Sequence, residues 1–86
     1  MKTLAQQFRE VMDRQQAIVG PFSQIQYQEM NRAFFAGAAS LFFTIMRDVT
    51  PLPDAQAEVE MQKIDDELRD YFRSLGQLPP KGLGGN

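Results

Sequence analysis

Apolar residues in the first quarter of the chain recur at steps of three and four, the spacing of one face of an α-helix. Leu4, Phe8, Val11 and Ile18, with Gln15 in register between them, mark that face. Thr3-Leu4-Ala5-Gln6 has the pattern of a capping box, in which the hydroxyl takes an amide proton and the Gln side chain reaches back. Gly20-Pro21 supplies a residue that tolerates a left-handed cap and one that cannot continue the ladder. Together they predict a helix over 3–19. Ser23-Gln24-Ile25-Gln26 repeats the box, with Phe22 and Tyr27 placed as a hydrophobic staple, and predicts a second helix over 23–49. Here the pattern is apolar on two sides. Met30, Ala33, Phe34, Gly37, Ala38, Leu41, Ile45 and Val49 share one wide face, and Phe35, Ala39, Phe42, Phe43 and Met46 form another. A helix apolar all round is expected to be buried all round, and one partner helix cannot do that.

A stiff connector, Thr50-Pro51-Leu52-Pro53, leads to a third helix over 54–75, with Asp54 as the expected N-cap and Thr50 as the alternative. Ala57, Met61, Ile64, Leu68, Tyr71 and Leu75 are spaced 4-3-4-3-4, a narrow seam of coiled-coil type, and Gly76 suits the C′ position. Residues 77–86 have no periodicity and read as an irregular Pro/Gly-rich arm. There is no strand pattern and no internal repeat. The fold expected is all-α: a single three-helix domain over 1–76 with the second helix central.

Size sharpens this picture. A chain of 86 residues buries only about 60–65% of its unfolded surface, and without disulfides or metals such domains recruit partners. The over-apolar second helix therefore points to a homo-oligomer. The small run Ala36-Gly37-Ala38-Ala39-Ser40 would allow close backbone approach, and Phe35, Gly37, Ala39, Phe42, Phe43 and Met46 are the expected interface.

Composition removes several classes of function. The chain has no His and no Cys, which excludes His-based triads, thiol nucleophiles, Cys/His zinc sites and disulfides. No carboxylate pair sits in a recognisable catalytic motif, so an enzyme is not expected, nor is a metal or cofactor. A net charge of -2 and a pI near 4.9 argue against bulk-electrostatic binding to nucleic acid. The longest uncharged stretch, Ala33 to Met46, is shorter than the roughly 20 residues of a bilayer span. With no apolar leader at the N-terminus, the expectation is a cytoplasmic protein without membrane attachment.

The remaining chemistry is sparse. Arg32 and Arg47 bracket the apolar stretch, Arg69 and Arg73 lie one turn apart beside Tyr71, and Lys81 lies in the Gly-rich tail. Guanidinium forks beside an aromatic face suit a phosphate-bearing nucleotide, and an oligomer would repeat them around a shared pocket. Taken singly, each arginine reads first as an ordinary surface charge. The tail is not a phosphate loop, because no strand precedes it and no helix follows. The third helix carries seven acids between Asp54 and Asp70 against Lys63, Arg69 and Arg73. Its acids, Glu58, Asp65, Asp66 and Asp70 among them, fit a solvated face with i,i+4 support such as Asp65–Arg69, a mimic of nucleic acid that docks on a basic groove, or a cation site.

The string Met30-Asn31-Arg32-Ala33-Phe34-Phe35-Ala36-Gly37-Ala38, followed by Leu68-Arg69-Asp70-Tyr71-Phe72, resembles short accessory proteins encoded by bacteriophages. The layout of helix, Pro-Asp loop and acid-bearing helix is also similar to phage anti-CBASS sponge proteins, small helical oligomers that sequester cyclic nucleotide signals. The chain departs from these sponges in its longer central helix and in having no Trp, so no binding residue is carried over. The resemblance implies a non-enzymatic counter-defence protein in the cytoplasm of a bacterial host. Its oligomer would sequester a nucleotide-derived immune signal, with Arg32, Arg47, Arg69, Tyr71, Arg73 and Lys81 as candidate contacts. The alternatives are an inhibitor that docks on a host or defence protein through the acidic helix or the apolar face, and a virion assembly factor.

Overall fold

A computed structural model describes residues 1–76, which form an all-α chain: α1 (Leu4–Val19), α2 (Gln24–Thr44), a π-helical turn (Ile45–Val49) and α3 (Asp54–Ser74). The arm expected over 77–86, with Lys81, lies outside the described residues. The chain divides into two compact units, Met1–Phe42 and a second beginning at Phe43.

In the first unit both helix starts form as the sequence predicts. The Gln6 amide donates to Thr3 Oγ1 at 3.1 Å while the Thr3 amide donates to Gln6 Oε1 at 2.8 Å. Ser23 and Gln26 repeat the exchange at 3.1 and 2.9 Å. Each box satisfies two amides that a helix end would otherwise leave without partners. Gly20 ends α1 with φ +92° and ψ 173°. Its φ is positive, but the ψ is extended, so the helix stops without a left-handed cap. The Gln16 side chain then accepts from the Phe22 amide at 3.0 Å and ties the tight connector.

Phe8 and Met12 are buried, whereas Leu4 and Ile18, expected on the same face, are exposed. A four-residue step from Phe8 to Met12 keeps to one row of a straight helix. Phe8 centres an aromatic cluster across α1 and α2. Its ring centroid lies 5.4 Å from Tyr27, edge to face, and 5.3 Å from Phe34. Burial of Phe8 and Met12 contributes about 1.5–3 kcal/mol each.

Within the single chain none of the residues of α2 is buried, so the chain itself does not supply the cover expected on both sides of this helix. Phe34 and Ala38 are half-buried, while Phe35, Ala39, Phe42 and Phe43 are exposed. The continuous helix expected to reach Val49 also changes character. Its last turn is π-helical, with the Thr50 amide and hydroxyl both directed to the Ile45 carbonyl at 2.8 and 3.1 Å.

In the second unit Val49 is buried and Leu52 half-buried. Pro53, with extended backbone, occupies the N-cap of α3, so Asp54 is the first helical residue and Thr50 closes the π turn instead. Asp54 still serves the helix start, since its charge opposes the positive end of the dipole. The 4-3 seam holds for Ala57, Met61 and Ile64, all half-buried. Leu68, Tyr71 and Leu75 are exposed, and Asp65, Arg69 and Phe72 lie inward instead. A strict 3.5-residue seam stays inward only on a supercoiled helix, whereas a straight one drifts toward the i+4 row. Gly76, at φ +70°, takes the left-handed conformation that its position predicted, its amide donating to the Arg73 carbonyl at 2.9 Å.

Candidate functional site

The local sequence that places each candidate arginine on a helix also gives it an acid within a turn. Arg32 meets Glu29 at 3.1 Å and Arg73 meets Asp70 at 3.1 Å, both i,i+3 pairs and both exposed. Arg47 forms a two-pronged pair with its neighbour: Nε to Asp48 Oδ1 and Nη2 to Oδ2, each at 2.8 Å. Adjacent side chains in an α-helix do not face one another. These two belong to the π turn, where successive side chains are rotated less. The hydrogen bonds from Arg47 hold the Asp48 carboxyl below its ordinary value, and the same bonds raise the guanidinium.

Arg69 is different. It was expected as a surface charge in a solvated pair. Its Nε does donate to Asp65 Oδ2 at 3.0 Å, but both side chains are buried, 8% and 6% exposed. Arg69 Nη2 is buried with no hydrogen-bond partner. Gln62 Nε2 approaches Asp65 at 3.4 Å and donates to Asp66 at 3.0 Å. A buried ion pair recovers its desolvation cost only where every donor is satisfied. The unsatisfied Nη2 leaves part of that desolvation cost without compensation. Spacing alone revealed the pair, and nothing in the sequence signalled its burial.

Tyr71 is exposed and packs edge to face on Phe72 at 5.5 Å, so it presents a free ring face but no guanidinium stacked on it.

The surface grooves are acidic. One of about 670 Å³ is lined by residues of the π turn, the connector and α3, among them Val49, Leu52, Val59 and Ile64 with Asp48 and Glu60. A second, of about 610 Å³, is lined by Asp54, Glu58, Ala57, Met61 and Gln62. A smaller one on α1, of about 230 Å³, mixes Lys2 and Arg9 with Glu10 and Asp13. None of Arg32, Arg47, Arg69, Tyr71 and Arg73 lines any of these three grooves. Carboxylates repel a phosphate, so neither of the two larger grooves is built for one. Among the described residues no cluster of three acidic side chains is placed to hold a metal ion, and no helix is long and apolar enough to cross a membrane.

What the chain does present is apolar. Phe35, Phe42, Phe43 and Met46 are 39%, 56%, 63% and 50% exposed. Phe35, Ala39, Phe42 and Phe43 follow one flank of α2 by helical spacing. Gly37, expected in the same interface, falls on the Phe34–Leu41 side. A Cβ added there would meet nothing within 4 Å, so packing within the chain does not require glycine at this position. No family model, curated protein or solved structure matches this chain.

Proposed function

We propose that the protein is a non-enzymatic binding protein whose working form is a homo-oligomer assembled on the exposed aromatic flank of α2. The observation that carries this reading is the 21-residue helix α2, rich in Phe and Ala, with no buried residue. Only three apolar side chains of the described residues, Phe8, Met12 and Val49, are buried. Such a core is thin for a chain of this size, and a contiguous exposed aromatic patch marks an interaction site.

The cargo we propose for that oligomer is a nucleotide-derived signalling molecule, in a phage-type counter-defence role in the bacterial cytoplasm. The resemblance and the density of guanidinium groups support it. The carboxylate partners of Arg32, Arg47, Arg69 and Arg73 oppose it, since a phosphate would have to displace them. A second reading, docking on a basic partner protein, is favoured by the acid-lined grooves of α3.

Native mass spectrometry of protein purified from its expressing cells tests the proposal, because it reports subunit number and bound mass together. The expected result is a closed oligomer that becomes monomeric in Phe42→Asp/Phe43→Asp. A nucleotide-sized adduct, lost in Arg69→Glu/Arg73→Glu, supports the cargo. An oligomer that takes up neither cyclic nucleotides nor ADP-ribose derivatives at micromolar concentration removes the cargo. Loss of partner capture on reversing Asp66 and Asp70 would favour docking. A bare monomer ends the oligomer reading.

A further inference from the structure

We infer that the flank of α2 bearing Phe35, Ala39, Phe42 and Phe43 closes on the same flank of a second copy running antiparallel, about a two-fold axis that passes the helix near Ala39. This rests on the oligomer proposed above and adds the partner helix and its direction.

Charge identifies the occupant. From Ala33 to Met46 the chain carries no ionisable residue, so a partner that places a charge on this flank desolvates it without compensation. The same stretch of a second copy brings none. The stretch is bracketed by internally balanced pairs, Glu29–Arg32 at 3.1 Å before it and Arg47–Asp48 at 2.8 Å after it. Neither end therefore repels either end of the copy.

Area is sufficient. At about 200 Å² a side chain, the exposed fractions of Phe35, Phe42, Phe43 and Met46 amount to on the order of 400 Å² per copy. Ala36, Ala39 and the Arg32 stem, all exposed, bring two copies to about 1,000 Å², where specific interfaces begin.

Side-chain size sets the direction. Along the flank the small residues Ala36 and Ala39 come before the bulky pair Phe42 and Phe43. A parallel pairing stacks Phe42 and Phe43 on their own copies and leaves Ala36 and Ala39 facing each other across a void. An antiparallel pairing about an axis between Ala39 and Ser40 seats Phe43 of one copy on Ala36 of the other and Phe42 between Ala36 and Ala39. Large on small fills the layer at native density. Opposed helix dipoles add to the preference.

The chain has no cysteine, so single-cysteine variants with a short bifunctional maleimide report the pairing directly. Ala36 and Ala39 are exposed, and Ala→Cys there leaves the helix intact. Ala39→Cys beside the axis is expected to cross-link to itself. Ala36→Cys alone should give little dimer, and Ala36→Cys mixed with Phe43→Cys should give dimer as the main product. Self-cross-linking of Ala36→Cys as strong as that of Ala39→Cys would mean a parallel pair and overturns the inference. If no variant cross-links while native mass spectrometry still reports an oligomer, the inference falls and the oligomer reading stands on another face. If the protein is then monomeric, both fall, and the flank serves a foreign partner.

Discussion

The two long helices invert the usual relation between hydropathy and burial. α2, uncharged from Ala33 through its last residue Thr44, buries none of its residues, while the acidic α3 buries an aspartate and an arginine. Burial follows where cover lies, not how apolar a side chain is. The exposed aromatic flank of α2 and the buried Asp65–Arg69 pair of α3 thus depart from the expected distribution in opposite directions. The first loses by staying in water, and the second carries a desolvation cost within the fold. An apolar surface left open is relieved by a partner. A buried charge pair is relieved only by its own geometry, and Arg69 Nη2, without a hydrogen bond, marks where that geometry falls short.

The comparison breaks most sharply at Arg69. Arg69→Ala leaves the Asp65 carboxylate buried without its guanidinium and is expected to cost about 4 kcal/mol. At roughly 4–8 °C per kcal/mol for a domain of this size, the melting transition followed by circular dichroism should fall by about 15 °C or more. Asp65→Leu combined with Arg69→Met removes both charges and should regain most of that loss. A double variant as unstable as Arg69→Ala would show that the pair is a net stabiliser rather than a tolerated cost.

A smaller effect separates the buried aromatic cluster from the exposed flank. Phe8→Ala opens a cavity beside Tyr27 and Phe34 and should cost about 3 kcal/mol at every protein concentration. Phe42→Ala removes a ring that is more than half exposed. In dilute protein it should change stability by about 0.5 kcal/mol or less. In concentrated protein it should lower the melting temperature, because mass action then adds the contact energy of the oligomer to the folded state. Equal concentration dependence in both variants would place the aromatic cluster, rather than the exposed flank, at the subunit contact.

How much of this was legible in the sequence depends on how local each feature is. The caps were readable because Thr3 with Gln6, and Ser23 with Gln26, complete their hydrogen bonds within four residues. The left-handed Gly76 was readable for the same reason. The three helices followed from periodicity. The π turn was not readable, since a five-residue hydrogen bond from Thr50 to Ile45 leaves no mark on a 3.6-residue pattern. Nor was the inward rotation of α3 at Asp65, which depends on the path of the helix over its cover. Among the candidate ligand residues, the partners of Arg32 and Arg73 were written in the i,i+3 spacing to Glu29 and Asp70, and of these short-range pairs only Asp65–Arg69 was read. Counting guanidinium groups without counting the acids one turn away overstated the positive charge available to a phosphate.

The smallest expected effect is at Asp48, and it tests the junction between α2 and the connector. Hydrogen bonds from Arg47 depress the folded-state value of this carboxyl below that of a free aspartate. The sign follows from linkage: a depressed carboxyl contributes stability at pH above its unfolded value, and that stability is lost as pH falls through the folded value. The window therefore lies in the acid range below the usual carboxylate titration. The pair is fully exposed, so salt and solvent screen it and the melting temperature should barely change. A carboxyl-carbon NMR titration is the sensitive measurement. Asp48 should titrate below a free aspartate, and Arg47→Ala should return it to the ordinary range. The two-pronged contact between adjacent residues also depends on the π turn, because side chains rotated 100° apart in an α-helix do not face one another. An ordinary titration in the unmodified protein would mean that the Arg47–Asp48 contact is not held in solution.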